Sequence, residues 1–183
     1  MKPYKLLAAV FAIITLFTFS SCETDDYEWK RGTLNLSTEQ DKDPIYTDNR
    51  GQFNFWYDLR AEDIRGIDAR RLDIVDVKSY NSEIFLFKGE LFRLGDLVNI
   101  RLRADGMDGC ALRMRVVNRN GSIEAMVIDE DYGLLKGFME DMVYNLAHRG
   151  QLRFYVEGEL LNIRQSTAFD FEVINDFDFK IRY

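Results

Sequence analysis

Residues 96–104 read DLVNIRLRA, and residues 111–117 read ALRMRVV. The first stretch has an apolar side chain at every second position, at Val98, Ile100, Leu102 and Ala104. Such alternation is typical of a strand with one buried face and one solvated face. The second stretch alternates in the same way, and residues 105–109 (DGMDG) between them have the composition of a turn. The two stretches therefore predict a hairpin.

Alternation extends outward from this hairpin in both directions. Asn120-Gly121 is the strongest turn signal, because both residues tolerate positive φ, and it predicts a return strand over residues 122–128. Further strands are predicted over residues 32–37, 52–59, 72–80, 83–87, 151–157 and 169–183, the last as one long bent strand or as two.

One segment has a different period. Between residues 132 and 148, apolar side chains recur at spacings of three and four, at Leu135, Phe138, Met139, Met142, Val143 and Leu146. That spacing forms one apolar stripe on a helix. The sequence therefore predicts a mainly β domain over residues 32–183, an antiparallel β-sandwich of about eight or nine strands with one α-helix, about residues 132–148, packed on it.

The N-terminal 22 residues have the pattern of a targeting segment. Lys2 and Lys5 precede 14 uncharged residues, 6–19, and Phe19-Ser20-Ser21-Cys22 follows. A helix of that length spans about 21 Å, which is shorter than a bilayer core and fits the apolar region of a signal peptide. The tetrapeptide resembles the lipobox of Bacteroidota-type bacterial lipoproteins. The resemblance implies a signal peptide over residues 1–21 and a lipidated Cys22 as the first residue of the mature protein.

An acidic stretch, ETDDYE, follows at residues 23–28. It resembles the surface-export signal of the same lipoproteins. The resemblance implies an outer-membrane protein that is displayed on the cell surface, and a periplasm-facing leaflet is the alternative. Residues 22–31 are predicted to be a lipidated tether, so the membrane is the first expected partner.

Composition excludes several function classes. Without residues 1–21 the chain has 22 basic against 31 acidic residues, a formal charge of −9, which argues against a general nucleic-acid binder. One His in the whole chain, and one Cys besides Cys22, leave little material for histidine-centred or thiol catalysis. No acidic cluster matches a calcium-loop pattern. We therefore expect no catalytic residue, no metal and no cofactor.

The predicted hairpin places four arginines on its outer face, at Arg101, Arg103, Arg113 and Arg115. Like charges on neighbouring strands repel, so something must offset them. One interpretation is pairing with acids on adjacent strands, for which Asp170, Glu172 and Glu124 are candidates. The other is an anionic ligand, such as an acidic glycan or the acidic patch of a partner protein.

Two aromatic residues fall on the polar side of their strands. Trp56 lies opposite the apolar side of residues 52–59, and Tyr155 lies opposite that of residues 151–157. Exposed aromatic rings beside polar neighbours such as Asp58 are suited to stacking on sugar rings. The alternative is that these strands are covered on both faces and that both rings belong to the core.

These observations favour a non-catalytic binding module whose target is a glycan or an envelope partner protein. A structural or adhesin-like subunit is the second hypothesis, with the long last strand, residues 169–183, added to a neighbour's sheet. A periplasm-facing envelope hydrolase is the third. The oligomeric state is left open.

Overall fold

The computed structural model describes residues 26–38 and 44–183. Within them lie strands β1 (Tyr27–Thr33), β2 (Leu36–Ser37), β3 (Ile45–Tyr46), β4 (Gln52–Arg60), β5 (Asp73–Phe87), β6 (Leu97–Ala104), β7 (Cys110–Arg119), β8 (Ser122–Val127), β9 (Gln151–Leu160) and β10 (Ala168–Arg182). One α-helix, α1, spans Tyr132–Arg149, and short 3₁₀ turns lie at Ala61–Asp63 and Asp129–Asp131. The predicted mainly β fold with one helix is confirmed. The predicted signal peptide and lipidated Cys22 lie outside the described residues.

The strands form one antiparallel sheet in the order β1-β10-β5-β8-β7-β6-β9-β4, and the two-residue strands β2 and β3 also pair with β10. The predicted hairpin is present as β6–β7, with Ile100 opposite Leu112. The β7–β8 turn has Asn120 at φ 53° and Gly121 at φ 92°, which is the backbone conformation that the sequence predicted there.

The sheet curls until its two ends face each other. Phe53 and Phe55 project inward from β4, and their rings lie 4.9 Å from the rings of Phe169 and Phe171 on β10. Edge-to-face packing of this kind joins the strands on which these rings lie, although no main-chain ladder links β4 to β10. The result is a sandwich-like half-barrel with a core between its facing halves.

Helix α1 packs on the inner surface of the sheet, against β5, β7 and β9. The predicted apolar stripe is its buried face, and the Phe138 ring lies 6.3 Å from that of Phe154 on β9. The Glu140 carboxylate accepts a hydrogen bond of 2.7 Å from the Ser79 main-chain N–H. Gly150 ends the helix at φ 79°, where a residue without Cβ avoids strain. Because α1 covers the inner surface, the outer surface of the sheet stays open.

Two strand predictions differ from the structure. Residues 72–80 and 83–87 form the single strand β5, because a bulge opposite Asp176 and Phe177 accommodates the polar Tyr80-Asn81-Ser82 junction. Residues 32–37, predicted as one strand, are divided between the end of β1 and β2. Of the two alternatives for residues 169–183, one long strand up to Arg182 is confirmed.

The predicted tether over residues 22–31 overlaps a strand in the structure. Residues 27–31 pair with β10 in strand β1, with Glu28 opposite Ile181, although their charges gave no strand pattern. Pairing with β1 provides hydrogen-bond partners for main-chain groups along an edge of β10 that would otherwise be open. Among residues 26–38 and 44–183, no helix has the length and apolarity needed to cross a bilayer.

The last strand is also not available for addition to a neighbour's sheet. One edge of β10 pairs with β5 and the other with β1, β2 and β3. The second hypothesis is therefore wrong in its choice of strand. Periodicity identified a strand, whereas its place in the middle of the sheet depends on pairing across the whole chain.

Candidate binding face on strands β4, β9, β6 and β7

All six predicted site residues lie on one outer surface of the sheet. Trp56 on β4 lies opposite Tyr155 on β9, and Tyr155 lies opposite Arg103 on β6. Arg101 occupies the next row, opposite Glu157 on β9 and Ala111 on β7. We call the outward side chains of β4, β9 and β6 around this row the Trp56 face.

Trp56 is the most exposed aromatic residue of this face. Its exposed fraction is 55%, so the interpretation of Trp56 as a core residue does not hold. The Arg153 guanidinium lies 5.6 Å from the ring centroid, within cation–π range. Arg153 also donates to both carboxylate oxygens of Asp58, at 2.6 and 3.2 Å, and thereby lowers the pKa of Asp58. The indole is therefore held beside a fixed pair of hydrogen-bonding groups.

Tyr155 is half-buried and carries a second set of contacts. Its hydroxyl donates a hydrogen bond of 3.2 Å to Asp105 Oδ1. The Arg103 guanidinium lies 5.4 Å from the Tyr155 ring centroid and forms an ion pair with Glu157. Neighbouring aromatic, cationic and anionic groups thus hold one another in place along the row.

The arginines avoid the repulsion expected from the hairpin. Three of the four face a neutral residue across β6–β7: Arg101 faces Ala111, Arg113 faces Asn99, and Arg115 faces Leu97. Pairing with acids accounts for Arg103, through Glu157, and for Arg113, through Asp131. Arg101 and Arg115 have no ion pair with any residue in the described part of the chain.

The acids proposed from the sequence are not the partners. Asp170 lies 3.1 Å from Lys88, and Glu172 lies opposite Phe85. Glu124 lies opposite Val117, on the far side of β7 from β6. The reason is the strand order, because β9 rather than β10 lies beside β6.

Arg113 has a structural role. The Asp131 carboxylate accepts from the Arg113 main-chain N–H at 2.7 Å, from Nε at 3.0 Å and from Nη2 at 2.9 Å. Asp131 is only 7% exposed, and these bonds hold its pKa below the ordinary range of a carboxyl group. Asp131 immediately precedes α1, so this pair fixes the start of the helix to β7.

Two open hollows flank the row. One, of about 530 Å³, lies between Arg101, Arg113, Glu157 and Glu159. Its floor includes Gly158. A Cβ at this position would point inward and meet the Phe53 ring. The other, of about 450 Å³, is lined by Asp58, Arg60, Asp105, Arg153 and Tyr155. The first hollow has an apolar floor with charged groups at its rim, whereas the second is lined mainly by polar and charged groups.

Sequence reasoning named Asp58 beside Trp56 but missed two members of the face, Arg153 and Asp105. Asp58 and Arg153 lie two residues from Trp56 and Tyr155, on the same sides of their strands, so the alternation that identified the aromatic residues also points to them. Asp105 lies in a predicted turn, and only its contacts with β9 bring it into the face.

The carboxyl groups with clearly shifted pKa values in the described residues are all shifted in one direction. Each carboxyl group with a clearly shifted pKa is shifted downward by hydrogen bonds that it accepts: Glu28, Asp48, Asp58 and Asp131. A general acid at neutral pH needs the opposite shift. No group of three or more His, Cys, Asp or Glu residues in ranges 26–38 and 44–183 is placed to hold a metal ion.

Comparisons with known proteins give only distant likenesses. No protein-family model matches the chain, and no curated protein does. Among solved structures, it is similar to a crystal structure titled decameric BFDV capsid protein, with 6% identity, a TM-score of 0.35, and 84% of this chain and 99% of the other covered. A second, titled 60-mer BFDV capsid protein, has 7% identity, a TM-score of 0.31, and 86% and 95% covered.

Proposed function

We propose that this chain is a lipid-anchored lipoprotein of the outer membrane, displayed on the cell surface, that binds an acidic glycan without catalysis through the Trp56 face. The observation that carries the binding proposal is the exposed Trp56 ring, 55% accessible, in one row with Tyr155 and Arg103. The lipobox and the acidic stretch that follows it support the location.

The chemistry of the face fits a sugar polymer. An indole offers a flat apolar surface, and its neighbours Asp58 and Arg153 offer fixed acceptors and donors beside it. Arg101, which has no ion pair with any described residue, supplies a cation for a carboxylate or sulfate group. Trp56 lies two strands across the sheet from Arg103, and Arg101 lies two residues from Arg103 along β6. The distance from Trp56 to Arg101 is therefore about 12 Å by strand spacing, so a ligand that contacts both must be extended.

The lowered pKa of Asp58 is compatible with a binding role. Asp58 is the carboxylate nearest to Trp56 in sequence on this face, and Arg153 keeps it ionised. An ionised carboxylate that is already held by a guanidinium can accept hydrogen bonds from hydroxyl groups, but it cannot donate a proton to a leaving group.

A second candidate function, strand addition by a partner protein, is favoured by the edge of β4. Leu160 N donates to Gly51 O at 2.9 Å, so odd-numbered residues of this segment face β9. The main-chain groups of Asn54, Trp56 and Asp58 therefore face away from β9, and no hydrogen bond from the described residues reaches them. Such an edge can pair with an extended segment of another protein.

The test is affinity electrophoresis of the lipidated protein in detergent, through gels that contain polygalacturonate, chondroitin sulfate, xylan or dextran. We expect retardation by an acidic polymer and at least about tenfold weaker binding for Trp56→Ala, a loss of about 1.4 kcal/mol. Arg101→Ala should weaken binding to the acidic polymer, and added salt should do the same.

Two variants serve as controls. Trp29→Ala removes the other tryptophan, which lies on β1, and should leave the affinity unchanged. Asn54→Pro removes an N–H that points away from β9 and leaves the Trp56 ring in place, so it blocks strand addition but not sugar stacking. Retardation that survives Trp56→Ala would refute the glycan site, and a captured partner lost only in Asn54→Pro would establish the second candidate.

The location has a separate test, protease treatment of intact cells. We expect digestion of the wild-type protein and protection of a variant in which Glu23, Asp25 and Asp26 are replaced by neutral residues. If intact cells protect both proteins and broken cells protect neither, the protein faces the periplasm and the surface proposal is wrong.

A further inference from the structure

A second exposed aromatic cluster lies at the opposite end of the strand order. Tyr27 and Trp29 on β1, and Tyr80 on β5, lie on the outer surface, with exposed fractions of 45%, 46% and 53%. Strand β10 lies between β1 and β5. We call this surface, together with its basic residues, the Trp29 face. The glycan proposal makes no use of it.

Each ring of the Trp29 face has a basic side chain beside it from another strand. Lys180 Nζ lies 4.1 Å from the Tyr27 ring centroid, and Lys78 Nζ lies 5.3 Å from that of Trp29. Arg31 Cζ lies 5.5 Å from the Tyr80 ring centroid. Aromatic rings interleaved with lysine and arginine are the side chains found where proteins meet lipid headgroups, because the rings tolerate the interface and the cations reach phosphates.

The cations of this face form only long ion pairs with acids, or none in the described residues. Lys78 is 3.9 Å from Asp76, and Arg31 is 3.7 Å from Asp178, which are long contacts between exposed groups. Lys180 forms no ion pair with any residue in the described ranges. Exposed pairs of this kind contribute little, so the cations can turn toward phosphate groups at small cost.

The position of the anchor ties this face to the membrane. Cys22 precedes Tyr27 by five residues, which reach at most about 18 Å when fully extended. Strand β1 itself has seven residues and is about 23 Å long. A lipid on Cys22 therefore holds the beginning of β1 within about 18 Å of the bilayer. This distance is shorter than the strand itself.

We propose that the Trp29 face lies against the phospholipid headgroups of the membrane that holds Cys22. This inference rests on the proposed lipid anchor. Because the inner side chains of β4 and β10 pack against each other, the outer side chains of these strands point to opposite sides of the domain. Seating the Trp29 face on the membrane therefore turns the Trp56 face outward, toward a ligand.

The chain contains two tryptophans, one on each face, and this gives a matched pair of reporters. Trp56→Phe leaves Trp29 as the only tryptophan, and Trp29→Phe leaves Trp56. Each lipidated variant is reconstituted into vesicles of phosphatidylethanolamine and phosphatidylglycerol that contain a headgroup-labelled quenching lipid. We expect Trp29 emission to shift to the blue and to be quenched at least about twofold more than Trp56 emission, as for an indole at headgroup level.

A further variant tests the role of the cations. Reversing two charges, Lys78→Glu with Lys180→Glu, in the Trp56→Phe background should return Trp29 quenching to the Trp56 level, while circular dichroism verifies the fold. Retention of full quenching by this variant, equal quenching of the two tryptophans, or stronger quenching of Trp56 would each overturn the membrane-facing orientation.

The same samples separate this inference from the proposal on which it rests. If the protein floats with the vesicles but Trp29 is not quenched, the anchor stands and the orientation is refuted. If it does not float, the lipid anchor is refuted, and the orientation with it.

Discussion

Replacing Phe171 with alanine tests how the curled sheet is held closed. Phe171 is fully buried on β10, and its ring lies 4.9 Å from Phe55 and 6.1 Å from Tyr57, both on β4. Truncating a buried phenylalanine costs about 3–5 kcal/mol, and each aromatic pair contributes about 0.5–1.5 kcal/mol beyond area burial. We expect Phe171→Ala to lower the free energy of unfolding by about 4 kcal/mol, which corresponds to a fall in Tm of about 8–16 °C for a domain of this size.

Urea unfolding followed by circular dichroism measures the loss, with an unchanged m-value. Phe177→Ala is the matched control, because Phe177 is equally buried on the same strand but its ring pairs with Phe179 rather than with β4. Both variants should lose similar stability. Only Phe171→Ala should raise hydrogen exchange selectively in β4 and β9, since it removes two of the three ring contacts that hold β4 to β10 and leaves only Phe53–Phe169.

A loss below about 1 kcal/mol for Phe171→Ala would refute the reasoning, since that is the range of a surface substitution. Unchanged exchange in β4 beside a full loss of stability would refute the closure role and leave Phe171 as an ordinary core residue.

Three further predictions concern single side chains. Gly158→Ala should destabilise the fold by about 1–3 kcal/mol, because the new Cβ would lie 2.3 Å from the Phe53 ring; a thermal shift measures it. Burial, and secondarily the charge of Asp131, raises the pKa of the Cys110 thiol, so a disulfide reagent at about pH 8 should modify it far more slowly in folded than in unfolded protein. Arg113 lowers the pKa of Asp131. The stability that this carboxylate contributes is therefore present above its unfolded pKa of about 3.9 and is lost as the pH falls through the lower folded value. In urea unfolding measured at a series of pH values, Asp131→Asn should reduce this loss of stability at acid pH.

Each of these has an outcome that contradicts it. Gly133→Ala is the control for Gly158→Ala, because an added Cβ at this helix glycine would meet no heavy atom within 4 Å, and it should stabilise rather than destabilise. A Gly158→Ala variant as stable as the wild type would show that both the Phe53 ring and the Asn99 carbonyl, 2.7 Å from the new Cβ, can move aside. Equal thiol rates in folded and unfolded protein would show that Cys110 is accessible. A loss of stability at acid pH that is unchanged by Asp131→Asn would assign the acid sensitivity to other carboxyl groups.

Local periodicity was sufficient for the elements whose partners are close in sequence. The β6–β7 and β7–β8 hairpins and helix α1 lie where alternation, the Asn120-Gly121 turn and the three-four apolar spacing predicted them. These patterns work because a strand or a helix with one buried side must repeat its apolar residues at the period of its backbone. They failed at residues 27–31, whose charged sequence has no such period and whose strand depends on β10.

The candidate site shows the same division. Alternation placed Arg101, Arg103, Trp56 and Tyr155 on the outer sides of their strands, and the structure agrees. It could not supply the neighbours, because Glu157 reaches Arg103 from 54 residues away, and Arg153 reaches Asp58 from 95 residues away.

Sequence patterns predict a mainly β chain with one helix, the apolar side of each alternating strand, and an N-terminus that resembles a lipoprotein signal. The position of β10 inside the sheet, the pairing of β9 with β6, and the placement of Trp56 and Trp29 on opposite sides of the domain are visible only in the folded chain. The difference lies in the sequence separation of the interacting residues. The side of a strand on which a residue lies depends on its backbone period, whereas strand order and ion-pair partners depend on contacts between residues far apart in the chain.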